Sequence, residues 1–148
     1  MLTTIPVGLD EIIATFGPLE DIANNLISFE LPYSLLYAGT IVTHARCHKL
    51  AVDHFVKAFT GIRDAGFAAE FKEYNGIYAA RPIRGQSAHP STHSWGIAID
   101  MLASQYPLGS TNRMPDAIVK IWQDAGFFYG GDFKSRKDGM HYQLATNY

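Results

Sequence analysis

The apolar positions of this chain recur at two spacings, and the switches between them divide it into elements. Leu9, Ile12, Ile13 and Phe16 repeat at the period of one helical face, and Gly17-Pro18 then supplies a left-handed cap and a residue that cannot continue the helix. A short N-terminal helix is expected. Residues 26–31 and the pair Ile41-Val42 read as extended, interrupted by Pro32 and Gly39. Between residues 44 and 65, Leu50, Val52, Phe55, Val56, Phe59 and Ile62 form one stripe that stops at Gly66, which predicts a long helix. Phe71, Tyr74 and Tyr78 surround the dipeptide Asn75-Gly76, a hairpin or bulge signal, and predict two short strands.

Residues 96–101 alternate Gly96, Ala98 and Asp100 with Ile97, Ile99 and Met101, the period-two pattern of a half-buried strand. Asp100 therefore faces away from the isoleucines. Pro115 at a helix start, Ile118, Val119 and Trp122 on one face and Gly126 at the end predict a further helix, and residues 140–144 a final strand. Helices and strands are mixed without regular βαβ alternation, and no linker, repeat or low-complexity tract divides them. The expected architecture is α+β, a small antiparallel sheet with flanking helices, in one domain spanning residues 1–148.

The bulk properties narrow the function classes. A chain of 148 residues that is 47% hydrophobic and 18% charged folds around one core, and a formal net charge of −2 supplies no broad positive field for nucleic acid phosphates. No apolar stretch approaches the roughly 20 residues needed to cross a bilayer, so a soluble protein without membrane insertion is expected. Cys47 is the sole cysteine, which excludes an intrachain disulfide and reads as a small buried hydrophobe. The first eleven residues lack a basic region, an apolar run and a cleavage site, so synthesis in the cytoplasm without a secretory signal is expected.

Candidate chemistry lies in two segments. In Ser91-Thr-His-Ser-Trp-Gly-Ile-Ala-Ile-Asp100, an imidazole at the mouth of a strand and a carboxylate on its non-isoleucine face point toward one volume. Both are normal zinc ligands, and a catalytic zinc takes three protein ligands and keeps one position open. The third candidate is His141 in Lys137-Asp-Gly-Met-His-Tyr-Gln143, with Asp138 three residues earlier as a candidate general base. Two histidines and an aspartate are a zinc donor set, although each residue type is also common in folded proteins without a metal. His44 and His48 also stand four apart on the predicted helix, but Ala45 occupies the position where a His-Glu-x-x-His protease needs its base. A structural or surface role is expected for them, and for His54 and His89.

The spacing Ser91-x-His93-x-x-Gly96-x-Ala98-x-Asp100, followed by Asp138-x-x-His141, resembles the signature of the M15 family of zinc peptidases, the D-Ala-D-Ala carboxypeptidases and L-alanyl-D-glutamate endopeptidases. The likeness extends over Tyr78-Ala-Ala-Arg81-Pro-Ile-Arg84-Gly85, Trp95 and Phe128-Tyr-Gly-Gly-Asp-Phe133, about half the chain. It implies a zinc site on the sheet face, with His93, Asp100 and His141 as ligands to Zn2+, Asp138 as the catalytic carboxylate, and Arg81 as the cation for substrate or oxyanion. Arg84 competes for that last role. Two positions depart from the family pattern: Gln143 stands where many relatives are acidic, and Asp138 where part of the family has glutamate. Trp95 and Tyr142 are expected either to line the cleft or to pack the core, and Gly130-Gly131-Asp132 to form a turn or a wall of the cleft.

The resemblance implies an enzyme acting on the stem peptide of peptidoglycan; a monomer is expected, and the lack of an export signal suggests release through a pore made by a partner. An L-alanyl-D-glutamate endopeptidase of the phage lysin kind leads, with a D-Ala-D-Ala carboxypeptidase as the close alternative. An antibacterial toxin would share the same chemistry. A non-catalytic, zinc-containing wall-binding module is the alternative of another class.

Overall fold

The computed structural model describes residues 1–83 and 85–148, apart from the side chains of Gln86 and Ser87. Its helices are α1 (Gly8–Phe16), α2 (Val52–Asp64) and α3 (Asp116–Asp124). Its strands are β1 (Leu26–Tyr37), β2 (Thr40–His48), β3 (Tyr74–Gly76), β4 (Pro82–Ile83), β5 (Gln86–Pro90), β6 (Ala98–Met101), β7 (Phe128–Tyr129) and β8 (His141–Gln143). A four-stranded antiparallel sheet runs in the order β3-β6-β8-β7, with β1–β2 and β4–β5 as separate antiparallel hairpins. This is an α+β architecture. Among the described residues no helix is long and apolar enough to cross a membrane.

The expected helix over residues 44–65 begins only at Val52, because residues 44–48 are claimed by a strand. Their backbone pairs with β1, Glu30 opposite His44 and Leu26 opposite His48, and burial alternates through Ala45 and Cys47 while His44 and Arg46 face out. That is a period of two, and it follows the β-branched run Ile41-Val42-Thr43, which favours extended backbone. The predicted His44/His48 helical pair therefore does not exist. His48 instead caps a short 3-10 turn, its Nδ1 accepting from Leu50 N at 3.1 Å, and Leu50 stays exposed rather than joining the stripe of α2.

The β1–β2 hairpin is longer than the pattern implied. Pro32 is tolerated because it falls in a register shift between Glu30 and Leu35, where the ladder asks for no N–H. Ala38 and Gly39 both have positive φ, 48° and 83°, as a two-residue hairpin turn requires. Around Asn75-Gly76 the bulge alternative holds and the hairpin does not: β3 pairs with the distant β6 through a register irregularity, and Asn75 Oδ1 accepts from Ala103 N. Gly17 ends α1 with φ 88° and ψ 167°, so the expected left-handed cap is replaced by an extended exit.

The core lies behind the four-stranded sheet. Phe55 and Phe59 of α2, Trp122 of α3, Phe71 and Phe127 form an aromatic cluster against Tyr142 of β8, with the Trp122 and Tyr142 rings stacked 4.8 Å apart. Each such fully buried phenylalanine contributes roughly 1.5–3 kcal/mol of transfer free energy. Trp95 and Tyr142 are both buried here, so they pack the core and do not line the cleft. Cys47 is fully buried, and burial pushes its thiol up to about 12, as fits an inert hydrophobe. His54 is buried as well, accepting from Leu2 N and donating through Nδ1 to Ala125 O.

Candidate metal centre

Antiparallel register sets the centre. β6 pairs with β8 so that Asp100 stands directly opposite His141. Alternation along β8 then sends Tyr142 into the aromatic core and leaves His141 and Gln143 together on the other face, where they hydrogen-bond each other. His93 comes from a 3-10 turn, Thr92–Trp95, at the mouth of β6, where the Ser91 hydroxyl caps the turn by accepting from His93 N. Gly96 ends that turn at φ 68°, and any Cβ there would lie 2.8 Å from both His48 N and Leu26 Cδ2. Only glycine permits this close approach to β1 and β2. The Trp95 indole donates to Gly17 O and pins the same turn from below.

These elements bring three side chains to one point. His93 Nε2 lies 3.2 Å from Asp100 Oδ2, and His141 Nδ1 lies 3.1 Å from Asp100 Oδ1. One potential ligand atom from each residue falls within 4.8 Å of the others. Both imidazoles are buried, and the Asp100 carboxylate is only 13% exposed. The remaining ring nitrogens are engaged: His93 Nδ1 donates to Ile77 O at 2.6 Å, and His141 Nε2 donates to Gln143 Oε1 at 2.8 Å. That leaves His93 Nε2 and His141 Nδ1 facing the carboxylate. His93 Nε2 is buried without a hydrogen-bond partner among the described residues, its contact with Asp100 lacking hydrogen-bond alignment. A buried acceptor aimed at a second imidazole and a carboxylate fits a cation between them, and each imidazole already has the outer partner that metal-ligating histidines carry.

Electrostatics agree with that donor set. Burial alone would raise the Asp100 carboxyl, but the hydrogen bond from His141 and the charge of the two imidazoles outweigh it and hold the group well below the usual carboxylate range. Burial alone would lower His141, and Asp100 and Asp138 outweigh it and raise it. Asp100 and Asp138 thus favour positive charge at the two imidazoles.

A cleft of about 390 Å³ opens over this centre. Asp138 lines it with a side chain 21% exposed, its Oδ2 3.9 Å from His141 Nδ1. The Asp138 loop is seated by Gly130, whose carbonyl accepts from Asp138 N, while Asp138 O accepts from His141 N. The Gly130-Gly131-Asp132 segment is thus a turn that holds the loop, and it does not line the cleft. Arg81 lines the cleft, with Nη1 donating to Pro82 O and its backbone N–H to Ser94 Oγ. Arg84 lies outside the described residues.

The sequence reading overlooked Arg136, a second cation in the cleft wall, and an apolar side made by Phe133, Met140, Leu108, Ile83 and Leu9. The run Lys134-Ser135-Arg136-Lys137 directly before Asp138 was the available signal for Arg136. Nothing local marked Leu9, which arrives from α1. His89 lines the cleft as an exposed side chain, within the surface role expected of it.

No curated protein and no solved structure gave a match to the chain. A family model of the M15 peptidases, described as D-alanyl-D-alanine carboxypeptidase, matches residues 84–144. That stretch carries the capped turn of His93, the β6–β8 pair and the Asp138 loop, and over it the chain is similar to the M15 peptidases.

Proposed function

We propose that this protein is a zinc peptidase that hydrolyses a peptide bond in the stem peptide of peptidoglycan, with His93, Asp100 and His141 as metal ligands and Asp138 as general base. The observation that carries the reading is the convergence of His93 Nε2, the Asp100 carboxylate and His141 Nδ1 beneath a cleft that Asp138 lines. Two imidazoles and one carboxylate form a donor set suited to zinc, and three protein ligands leave a position open for chemistry. When bound, zinc supplies Lewis acidity, lowering the pKa of a water to about 7 and polarising a carbonyl.

The chain's own groups do the rest. Asp138 takes the proton of the attacking water and returns it to the leaving amine, so no covalent acyl-enzyme is formed. Arg81 and Arg136 present cations on the cleft wall, where a substrate carboxylate or a developing oxyanion would be held. Phe133 and Met140 give the cleft an apolar flank that excludes water from the reacting groups.

Within that chemistry we favour cleavage between L-Ala and D-Glu. The family description supports a second reading, removal of the terminal D-Ala. Mass spectrometry of purified peptidoglycan digested by the zinc-loaded protein separates them, run beside Asp138→Ala and a chelated sample. Free D-Glu amino termini that vanish in both controls are the expected result. Release of D-Ala alone makes the protein a carboxypeptidase, and the absence of products from every wall tested would leave a non-catalytic wall-binding module.

A further inference from the structure

Gln143 sits at the junction of four hydrogen bonds, and their directions are fixed from one end. Its Nε2 lies 3.2 Å from Ala145 O and 3.2 Å from Tyr148 O, two carbonyls that can only accept, so the NH2 end of the amide must face them. Its Oε1 then faces Thr92 Oγ1 at 3.0 Å and His141 Nε2 at 2.8 Å, and both must donate. The proton of a neutral His141 is therefore placed on Nε2, and the Nδ1 lone pair is turned to Asp100 Oδ1, 3.1 Å away. His93 is fixed in the opposite sense by the carbonyl of Ile77, with its proton on Nδ1 and Nε2 free.

We propose that Gln143 is a positioning residue for the metal centre: it selects the His141 tautomer whose Nδ1 is the ligand atom and holds that ring in the plane of the site. The inference rests on the metal reading above. The same four bonds suit an amide at this position, with one end that donates and one that accepts. A carboxylate would accept from His141 and Thr92 equally well, but it would set its second oxygen against the carbonyls of Ala145 and Tyr148. A merely structural Gln143, knitting residues 145–148 to β8, would affect stability and leave the choice of nitrogen unchanged.

The test uses the whole chain, with zinc affinity measured by chelator competition and imidazole protonation read from long-range proton–nitrogen NMR of the zinc-loaded protein. In the wild type, His93 is expected to carry its proton on Nδ1 and His141 on Nε2. Gln143→Met keeps the volume and removes the acceptor, and a 10- to 100-fold loss of zinc affinity with loss of the His141 Nε2–H signal is expected. Gln143→Glu keeps the acceptor, and affinity within tenfold of wild type with the Nε2–H signal retained is expected despite a lower Tm. If Gln143→Met binds zinc as tightly as wild type with unchanged tautomers, the proposal is overturned. Should Gln143→Met fail to fold, Gln143→Glu decides, since loss of affinity beyond tenfold or of the Nε2–H signal would overturn it too. A wild-type protein that holds no zinc overturns the metal reading itself, and this proposal with it.

Discussion

At the scale of single residues, the centre separates groups that hold a charge from the group proposed to move a proton. Asp100 is clamped between two imidazoles and stays ionised, while Asp138 lies at the cleft wall with its Oδ2 3.9 Å from His141 Nδ1. Removing the carboxylate of Asp138 should therefore abolish proton transfer without emptying the site. Asp138→Asn is expected to lower kcat by about 10²- to 10⁴-fold while the purified variant retains the zinc stoichiometry of the wild type. Steady-state kinetics beside metal analysis checks this, and a variant that lost its metal would instead place Asp138 among the ligands.

At the scale of elements, two short connections fix the site more than any helix does. The Ser91-capped turn is held against β2 by the missing Cβ of Gly96, and the Asp138 loop is held by Gly130. A Cβ on Gly130 would collide with the Asp138 carbonyl oxygen and lie 3.0 Å from His141 Cβ. Gly130→Ala is expected to shift the Asp138 loop, costing about 1–3 kcal/mol of overpacking and lowering kcat/KM roughly 10²-fold through misplacement of the carboxylate. Denaturant unfolding and kinetics on the same preparation test it. Activity at the wild-type level would show that the loop relaxes without moving Asp138.

At the scale of the whole molecule, the aromatic core behind the sheet supports a buried charged cluster on its front, and the two respond oppositely to pH. In the metal-free protein His141 is raised from 6.5, so its contribution to stability is complete below pH 6.5 and is lost as pH climbs through the raised value. Asp100 is lowered from 3.8, so its contribution is present above pH 3.8 and is lost as pH falls through the lowered value. Chelated protein should be most stable between pH 3.8 and 6.5, as far as these two groups decide. Zinc needs the neutral imidazole, so the rise in Tm on adding zinc should grow from pH 5 to pH 8. Calorimetry across that range measures both, and a zinc-induced shift independent of pH would argue against His141 as a ligand.

Taken by itself, the sequence determined the α+β class, helices α1 and α3, the C-terminal end of α2, and the three residues that meet at the centre. Those features rest on local periodicity, on glycine and proline stops, and on short spacings such as His93 to Asp100 within one turn and strand. Tertiary structure alone decided that residues 44–48 are a strand, because their pairing with β1 is a contact at long range that no window along the chain contains. It also decided that Tyr142 and Trp95 are core, and that Arg136, Phe133 and Leu9 share one cleft. Which nitrogen each histidine presents was settled by the carbonyl of Ile77 and the amide of Gln143, and sequence spacing does not specify the direction of a hydrogen bond. Residue types set what chemistry the centre offers; the register of β6 against β8 and the closure of two loops set where those residues meet.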